Sequence, residues 1–409
     1  MRGLIKNVVF RTLTVSNFLS ALGSYIYNIV FIIYATTLPY SHIAVFIANI
    51  ITIIPMVFIF WIGVKADKTK RKTRNLIVIG FIQSLLFTIV ALLMTNQTFL
   101  VFAFVGFLNV FSDILNDYKN GLRLPIMQKN IESEKLYEAY SFAQFIGYLS
   151  NIAGQALGVW LLTTSGNNYA FVALINAISF LLSSVVLLKN RQKLRHDVVE
   201  ASEAGVSLTK QFKVMYTRMT ETFKKIDHVS FVMLLLSILT LNAIGGAINS
   251  IYHFYLMDHQ LFHFPYGQSL VIVDAVTIIG AMLGNLTPKD YFSRLSISKL
   301  VQTQGIAFLL VGVSNALQLP AIIGVLCLAF AAYIMGKATP KLDALLMENL
   351  PSDMLAQSNN FLGLLFSLSL PVGVFIFSFL ALYNMTLCWI LFMVLSLAAL
   401  ALSTSSTRG

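Results

Sequence analysis

The sequence predicts an all-α membrane protein, twelve transmembrane helices arranged as two six-helix repeats. Three observations carry this. Apolar residues make up 57% of the chain and charged residues only 11%, with a mean hydropathy of +0.78, a composition that a soluble globular fold does not have. A helix needs about 20 apolar residues to cross hydrocarbon, and twelve runs qualify: 12–38, 43–63, 75–94, 98–120, 138–163, 169–188, 229–256, 266–287, 299–317, 320–343, 357–381 and 385–403. All 28 lysines and arginines lie in the N-terminal arm, in alternate connections or the helix ends beside them, or in the C-terminal tail, and the six other connections have none. That alternation sets parity and orientation, with both termini expected in the cytoplasm and the chain in the plasma membrane of a bacterium. The net charge of +11 therefore reports orientation, and nucleic acid is not expected as a partner.

The N-terminal arm carries Arg2, Lys6 and Arg11 with no small-x-small cleavage site after them, so the first run is read as a retained span. Along it Asn17, Ala21, Ser24 and Asn28 form a polar stripe. Such a stripe suits contact with water or substrate, and interhelical hydrogen bonding asks for the same pattern. Tyr25, Tyr27 and Tyr34, with Phe31, add aromatic surface suited to a lipophilic ligand.

Between the second and third runs stands a short charged loop, Gly63-Val64-Lys65-Ala66-Asp67-Lys68-Thr69-Lys70-Arg71-Lys72, with Arg74 beyond it. Gly63 lets two helix backbones approach closely, Asp67 is placed to cap a helix or pair with a base, and the cations hold the loop beside anionic lipid. Gly63, Asp67, Lys68, Arg71 and Lys72 match the pattern G-x-x-x-D-(R/K)-x-G-(R/K)-(R/K), with Lys70 in the place of its second glycine. In this the loop resembles the signature loop of the major facilitator superfamily. The resemblance implies two parallel six-helix repeats, with the first, fourth, seventh and tenth helices lining a cavity and the loop acting in gating.

Charge inside hydrocarbon is costly, so intramembrane ionisable residues are functional candidates. The fourth run carries Asp113 and Asp117 one turn apart, with Asn109 and Asn116 near the same stripe, and the eighth run carries Asp274. At ~1.5 Å per residue, Asp113 falls in the cytoplasmic third and Asp274 nearer the midplane. Desolvation disfavours a charged carboxylate and two neighbours compete for one negative charge, which makes all three candidate proton carriers. The alternative is a structural ion pair of Asp117 with Lys119, Arg123 or Lys337. Lys337 in the tenth run is expected to bridge to Asp113 or Asp117 as a gate on the cytoplasmic side.

In the fifth run Ser150, Gly154, Gln155, Gly158 and Val159 fall where the drug-proton antiporter branch, which includes the macrolide exporters, has G-x-x-x-G-P-x-x-G-G; Gly154 and Gly158 match. Ordinary small-residue packing explains those glycines as well. Asn176-Ala177-Ile178-Ser179-Phe180 in the sixth run, and the segments around Pro125 and Pro340, resemble the same branch. The family's other common feature, an arginine midway along the fourth helix on an R-x-x-x-G pattern, is missing.

The expected domains are a first bundle over 1–188, a cytoplasmic linker over 189–228 and a second bundle over 229–409. Within the linker, Leu208, Phe212, Met215, Met219 and Phe223 recur at helical spacing opposite Lys210, Lys213, Arg218, Lys224 and Lys225, a pattern fitting a helix on the inner membrane surface or one bound by a partner protein. In the seventh run Asn242, Gly246, Asn249 and His253 repeat the spacing of the first stripe, His253 close to the outer surface. The stretch from Asn130 to Glu138 resembles that from Asn349 to Gln357, as two repeats require. Cys327 and Cys388 lie inside apolar runs, so neither a disulfide framework nor a metal is expected, and no cofactor.

The function expected is secondary active transport, specifically proton-coupled efflux of a lipophilic or amphipathic small molecule by a monomer, with substrate, protons and membrane lipid as partners. Uptake by symport, flipping of a lipid-like substrate, and a non-transporting sensor or immunity protein are the alternatives. An enzyme is not expected, since no Ser/His/Asp constellation, phosphate loop or metal-spaced cluster appears.

Overall fold

A computed structural model describes residues 6–96, 98–195, 230–287, 289–349 and 352–406. The expected amphipathic helix over 208–225 lies outside these residues. The described chain is helical throughout, and twelve of its helices are long and apolar enough to cross a membrane. They are α1 (Val8–Thr36), α2 (Ser41–Asp67), α3 (Lys72–Leu93), α4 (Phe99–Asn130), α5 (Ser133–Thr164) and α6 (Tyr169–Lys189), then α7 (Phe231–Asp258), α8 (Tyr266–Leu286), α9 (Ile297–Ala316), α10 (Ala321–Asn349), α11 (Ser352–Tyr383) and α12 (Met385–Ser406).

Short polar side chains start several helices by accepting from amides that have no partner within the helix. Asn7 accepts from the amides of Val9 and Phe10 at 2.9 and 3.1 Å, and Asn168 accepts from that of Phe171 at 2.9 Å. Helices α4, α5, α10 and α11 run past the apolar stretches read from the sequence. Hydropathy marks where hydrocarbon ends, whereas a helix satisfies its own backbone and continues into polar sequence.

The chain divides into two compact units, Met1–Glu203 and Ala204–Gly409, and the two are built alike. In the first, α1 packs on α5 and α6, α2 on α4, and α3 on α6 and α4; in the second, α7 packs on α11 and α12, α8 on α10, and α9 on α12 and α10. The equivalence extends to residues. Gly121 of α4 sits against Ala66 of α2, and Gly336 of α10 against the Ala281 backbone of α8, each so closely that a Cβ would collide. Small residues at these crossings let the backbones meet, which is how helices associate in a solvent as apolar as their own side chains.

Part of the first unit's core is aromatic. Phe31 and Phe102 stack at 5.1 Å, and Tyr27 meets Phe87 edge-on at 4.8 Å. Gly154 and Gly158 lie against α1 at Tyr25 and Ile26, too close for a Cβ, so the fifth-helix glycines act in packing. In the second unit Phe308, Phe377, Trp389 and Phe392 fill the corresponding interior.

Candidate functional site

The signature loop is organised by Lys72. Helix α2 ends with carbonyls that have no partner inside the helix, at the negative end of its dipole. Lys72 is buried, and its Nζ donates to the carbonyls of Ala66 and Asp67 at 2.7 and 2.9 Å. The loop is also tied to α4, where the Tyr118 hydroxyl lies 2.5 Å from Thr69 Oγ1 and accepts from Asn75 Nδ2 at 3.4 Å. Asp67, Lys68 and Arg71 are exposed, and Asp67 has no ion pair among the described residues. The role expected of Gly63 is not met: a Cβ built there finds nothing within 4 Å, and the close approach occurs at Ala66 and Gly121 instead.

The second unit solves the same problem with a different lysine. The ammonium of Lys337, reaching from α10, donates to the carbonyls of Gly284 and Thr287 at 3.2 and 2.7 Å, to Thr287 Oγ1 at 2.8 Å and to Ser293 Oγ at 3.1 Å. It pairs with Asp290 Oδ2 at 3.0 Å and lies 4.7 Å above the Tyr333 ring. Tyr333, the counterpart of Tyr118, donates its hydroxyl hydrogen to the same carboxylate. Desolvation pushes the Asp290 carboxyl up, but hydrogen bonds from Ser293 and Lys337 and the Lys337 charge outweigh it and hold it below the usual carboxylate range. Lys337, expected to bridge to Asp113 or Asp117, forms an ion pair with Asp290 in its own unit. The loop after α8 supplies so many acceptors that the ammonium is satisfied within its own unit.

Helix α4 separates its charges by face. Asp113 and Asp117 are partly exposed, and neither has an ion pair among the described residues. Lys119 and Arg123 point the other way, into the bundle. Lys119 is fully buried, donates to Gln83 Oε1 at 3.0 Å and lies 5.1 Å from the Phe180 ring centre, while Gln83 in turn donates to the Ser112 carbonyl at 3.1 Å. Arg123 donates to Asn17 Oδ1 on α1, to Asn120 Oδ1 at 2.8 Å and to Ser20 Oγ at 3.4 Å. The expected pairing of Asp117 with Lys119 or Arg123 is absent because the residues fall on opposite sides of one helix.

The polar stripes are placed unevenly. Asn17 and Ser24 are partly exposed and Asn28 exposed, and on α7 Asn242, Asn249 and His253 are partly exposed. Tyr27 and Asn109 are not at a surface: Asn109 Nδ2 donates to the Tyr27 hydroxyl at 3.3 Å inside the first unit, with Tyr27 at 0% exposure. Phe31 and Tyr34 are buried as well, which leaves Tyr25 as the partly exposed ring of that group. Asp274 is partly exposed on α8.

The sequence profile described as Major Facilitator Superfamily matches residues 13–374. The chain belongs to the major facilitator superfamily. As a member of that superfamily it is a transporter and not an enzyme. Solved structures with the same fold include the nucleoside transporter NupG, at 15% identity and a TM-score of 0.66 over 98% of this chain and 98% of that one. A peptide transporter POT in complex with sulfate aligns at 14% identity and a TM-score of 0.69, over 98% of this chain and 94% of that one. A POT family transporter in complex with 5-aminolevulinic acid aligns at 14% identity and a TM-score of 0.68, over 97% and 96%. No curated protein matches the sequence.

Within this facilitator fold, sequence reasoning named Lys119 and Arg123 only as partners for Asp117 and missed their inward face on α4. Lys119 and Arg123 are spaced four apart, so they share a face, and their distance from Asp117 puts that face opposite the carboxylates. It also passed over Asp290, whose role depends on where α10 sends Lys337. Ser293, three positions further on, gives no signal in sequence, because its hydroxyl acts only once the chain has turned back on Asp290.

Proposed function

We propose that this chain is a proton-coupled secondary transporter that moves a small amphipathic molecule by alternating access. The observation that carries this reading is the condition of Asp113 and Asp117. Two carboxylates one turn apart in a span, partly exposed and without an ion pair among the described residues, are groups that gain from taking up a proton or from meeting a cationic substrate. The neighbouring cations are engaged elsewhere and do not neutralise them. Asp274 is the third candidate proton carrier. Asn17, Ser24 and Asn28 on α1, with Asn242, Asn249 and His253 on α7, are the proposed substrate contacts, and the Lys72 and Lys337 caps hold the loops that act in gating.

Export in exchange for protons is the direction we propose, on the resemblance of the fifth-helix glycines, the Asn176–Phe180 stretch and the segments around Pro125 and Pro340 to the antiporter branch. A second reading is uptake of a small polar solute. It is favoured by the burial of Tyr27, Phe31 and Tyr34, which removes most of the aromatic surface a lipophilic ligand would use. It also agrees with the nucleoside, peptide and 5-aminolevulinic acid named for the structural relatives. The basic ends of the spans are proposed to face the cytoplasm, with both termini on that side.

Purified protein in liposomes under an imposed pH gradient tests the reading. Movement of a lipophilic cationic dye supports export, and gradient-driven uptake of a nucleoside or dipeptide supports the second reading. Transport that ignores the gradient in every case removes proton coupling. No transport of any probe by folded protein counts for a non-transporting member of the fold.

A further inference from the structure

The second unit contains a cavity of about 290 Å³ between α7, α9 and α10, at the end of these helices opposite the Asp290 loop. Its size is close to that of a small-molecule site. Among the described residues, no aspartate, glutamate, lysine or arginine lines it. One wall is flat: the His259 ring stacks on Tyr255 at 4.3 Å and 4°. Tyr252 and Tyr255 both pack edge-on against Trp389, at 6.0 and 5.7 Å, so the wall is held from behind.

The polar groups around that wall are only partly used. Asn315 is buried and donates from Nδ2 to the Tyr252 hydroxyl at 3.0 Å and to the Val311 carbonyl at 2.8 Å, which leaves its Oδ1 and the Tyr252 hydroxyl hydrogen without a partner among the described residues and available to a guest. His259 donates from Nδ1 to the Tyr255 carbonyl at 3.0 Å, so Nε2 is the acceptor of the neutral ring. Gln260 and Gln318 add amides at the mouth. A flat aromatic wall with mixed donors and acceptors and, among the described residues, no carboxylate, lysine or arginine selects a flat, uncharged, hydrogen-bonding guest.

We propose that this cavity is a binding site for a small neutral heterocycle of nucleobase size, separate from the polar faces of α1 and α7. Binding here does not depend on whether the chain exports or imports, or on proton coupling.

Trp389 supplies a local readout, because the other tryptophans, Trp61 and Trp160, are well exposed and replaceable. In full-length protein carrying Trp61→Phe and Trp160→Phe, adenine or uracil should change Trp389 emission, excited at the red edge of its band, in a saturable way. Orotate and choline, as an anion and a cation, should not. Gly324→Leu should abolish the response: a Cβ at that position sits 3.6 Å from Ser314 Oγ, an ordinary contact, while the longer side chain enters the cavity. Gln260→Ala, at an exposed position, should weaken binding by about five- to tenfold with the thermal unfolding curve unchanged. The proposal is overturned by no saturable response to either base in folded protein, by an equal response to the charged probes, or by a response that survives both substitutions.

Discussion

At the residue scale, two lysines that a hydropathy profile treats alike serve as helix caps. Lys72 contributes through two charge-assisted hydrogen bonds, one buried and one partly so, to carbonyls at the end of α2. Lys72→Met should cost about 1–3 kcal/mol, seen as a lower Tm in detergent, while Lys68→Met, at an exposed position of the same loop, should change it little. For Asp290 the sign follows from its lowered carboxyl: its contribution is present above the usual carboxylate range and lost as pH falls through the folded value. Asp290→Asn should therefore lower Tm at neutral pH, and its gap from the wild type should close as the solution is taken below that range. A gap constant with pH would mean that the charge is not what matters.

At the element scale, the pairs α2–α4 and α8–α10 depend on glycines where the backbones meet. Gly336→Val forces a side chain into the Ala281 backbone, and Gly121→Val one into Ala66. Both should unfold the protein at markedly lower temperature, by an overpacking cost of about 1–3 kcal/mol or more. Gly147→Val, in α5 with nothing within 4 Å of its added Cβ, should fall within about 0.5 kcal/mol of the wild type. The sequence shows glycines at all these places, and only the crossing of a second helix distinguishes the tight positions from the open one. The same holds for Gly63, whose motif position suggests a close approach that takes place at Gly121.

At the scale of the whole molecule, the charge alternation predicts sidedness and the carboxylates predict coupling. With Cys327 and Cys388 replaced by alanine, a single cysteine at Lys68 should react with an impermeant thiol reagent from the cytoplasmic side, and one at Asn167 from the outside. Reaction of both from one side would break the topology. Asp113→Asn, Asp117→Asn and Asp274→Asn should each be tested for the pH dependence of transport, and at least one should flatten it. Retention of wild-type dependence in all three would move coupling to another group, with buried Lys119 the next to examine.

The sequence by itself determined the twelve spans, the family and the kinship of the two halves, because hydrocarbon thickness and backbone self-satisfaction constrain composition along the chain directly. It also marked which residues are chemically unusual for their depth, Asp113, Asp117 and Lys337 among them. Only the tertiary structure decided what those residues meet. Tyr27 and Asn109 read as cavity residues and lie in the core, and Lys337 read as a gate to α4 and caps α8. A helical period specifies a face, but whether that face meets lipid, ligand or another helix is set by how each helix is rotated against neighbours far away in sequence.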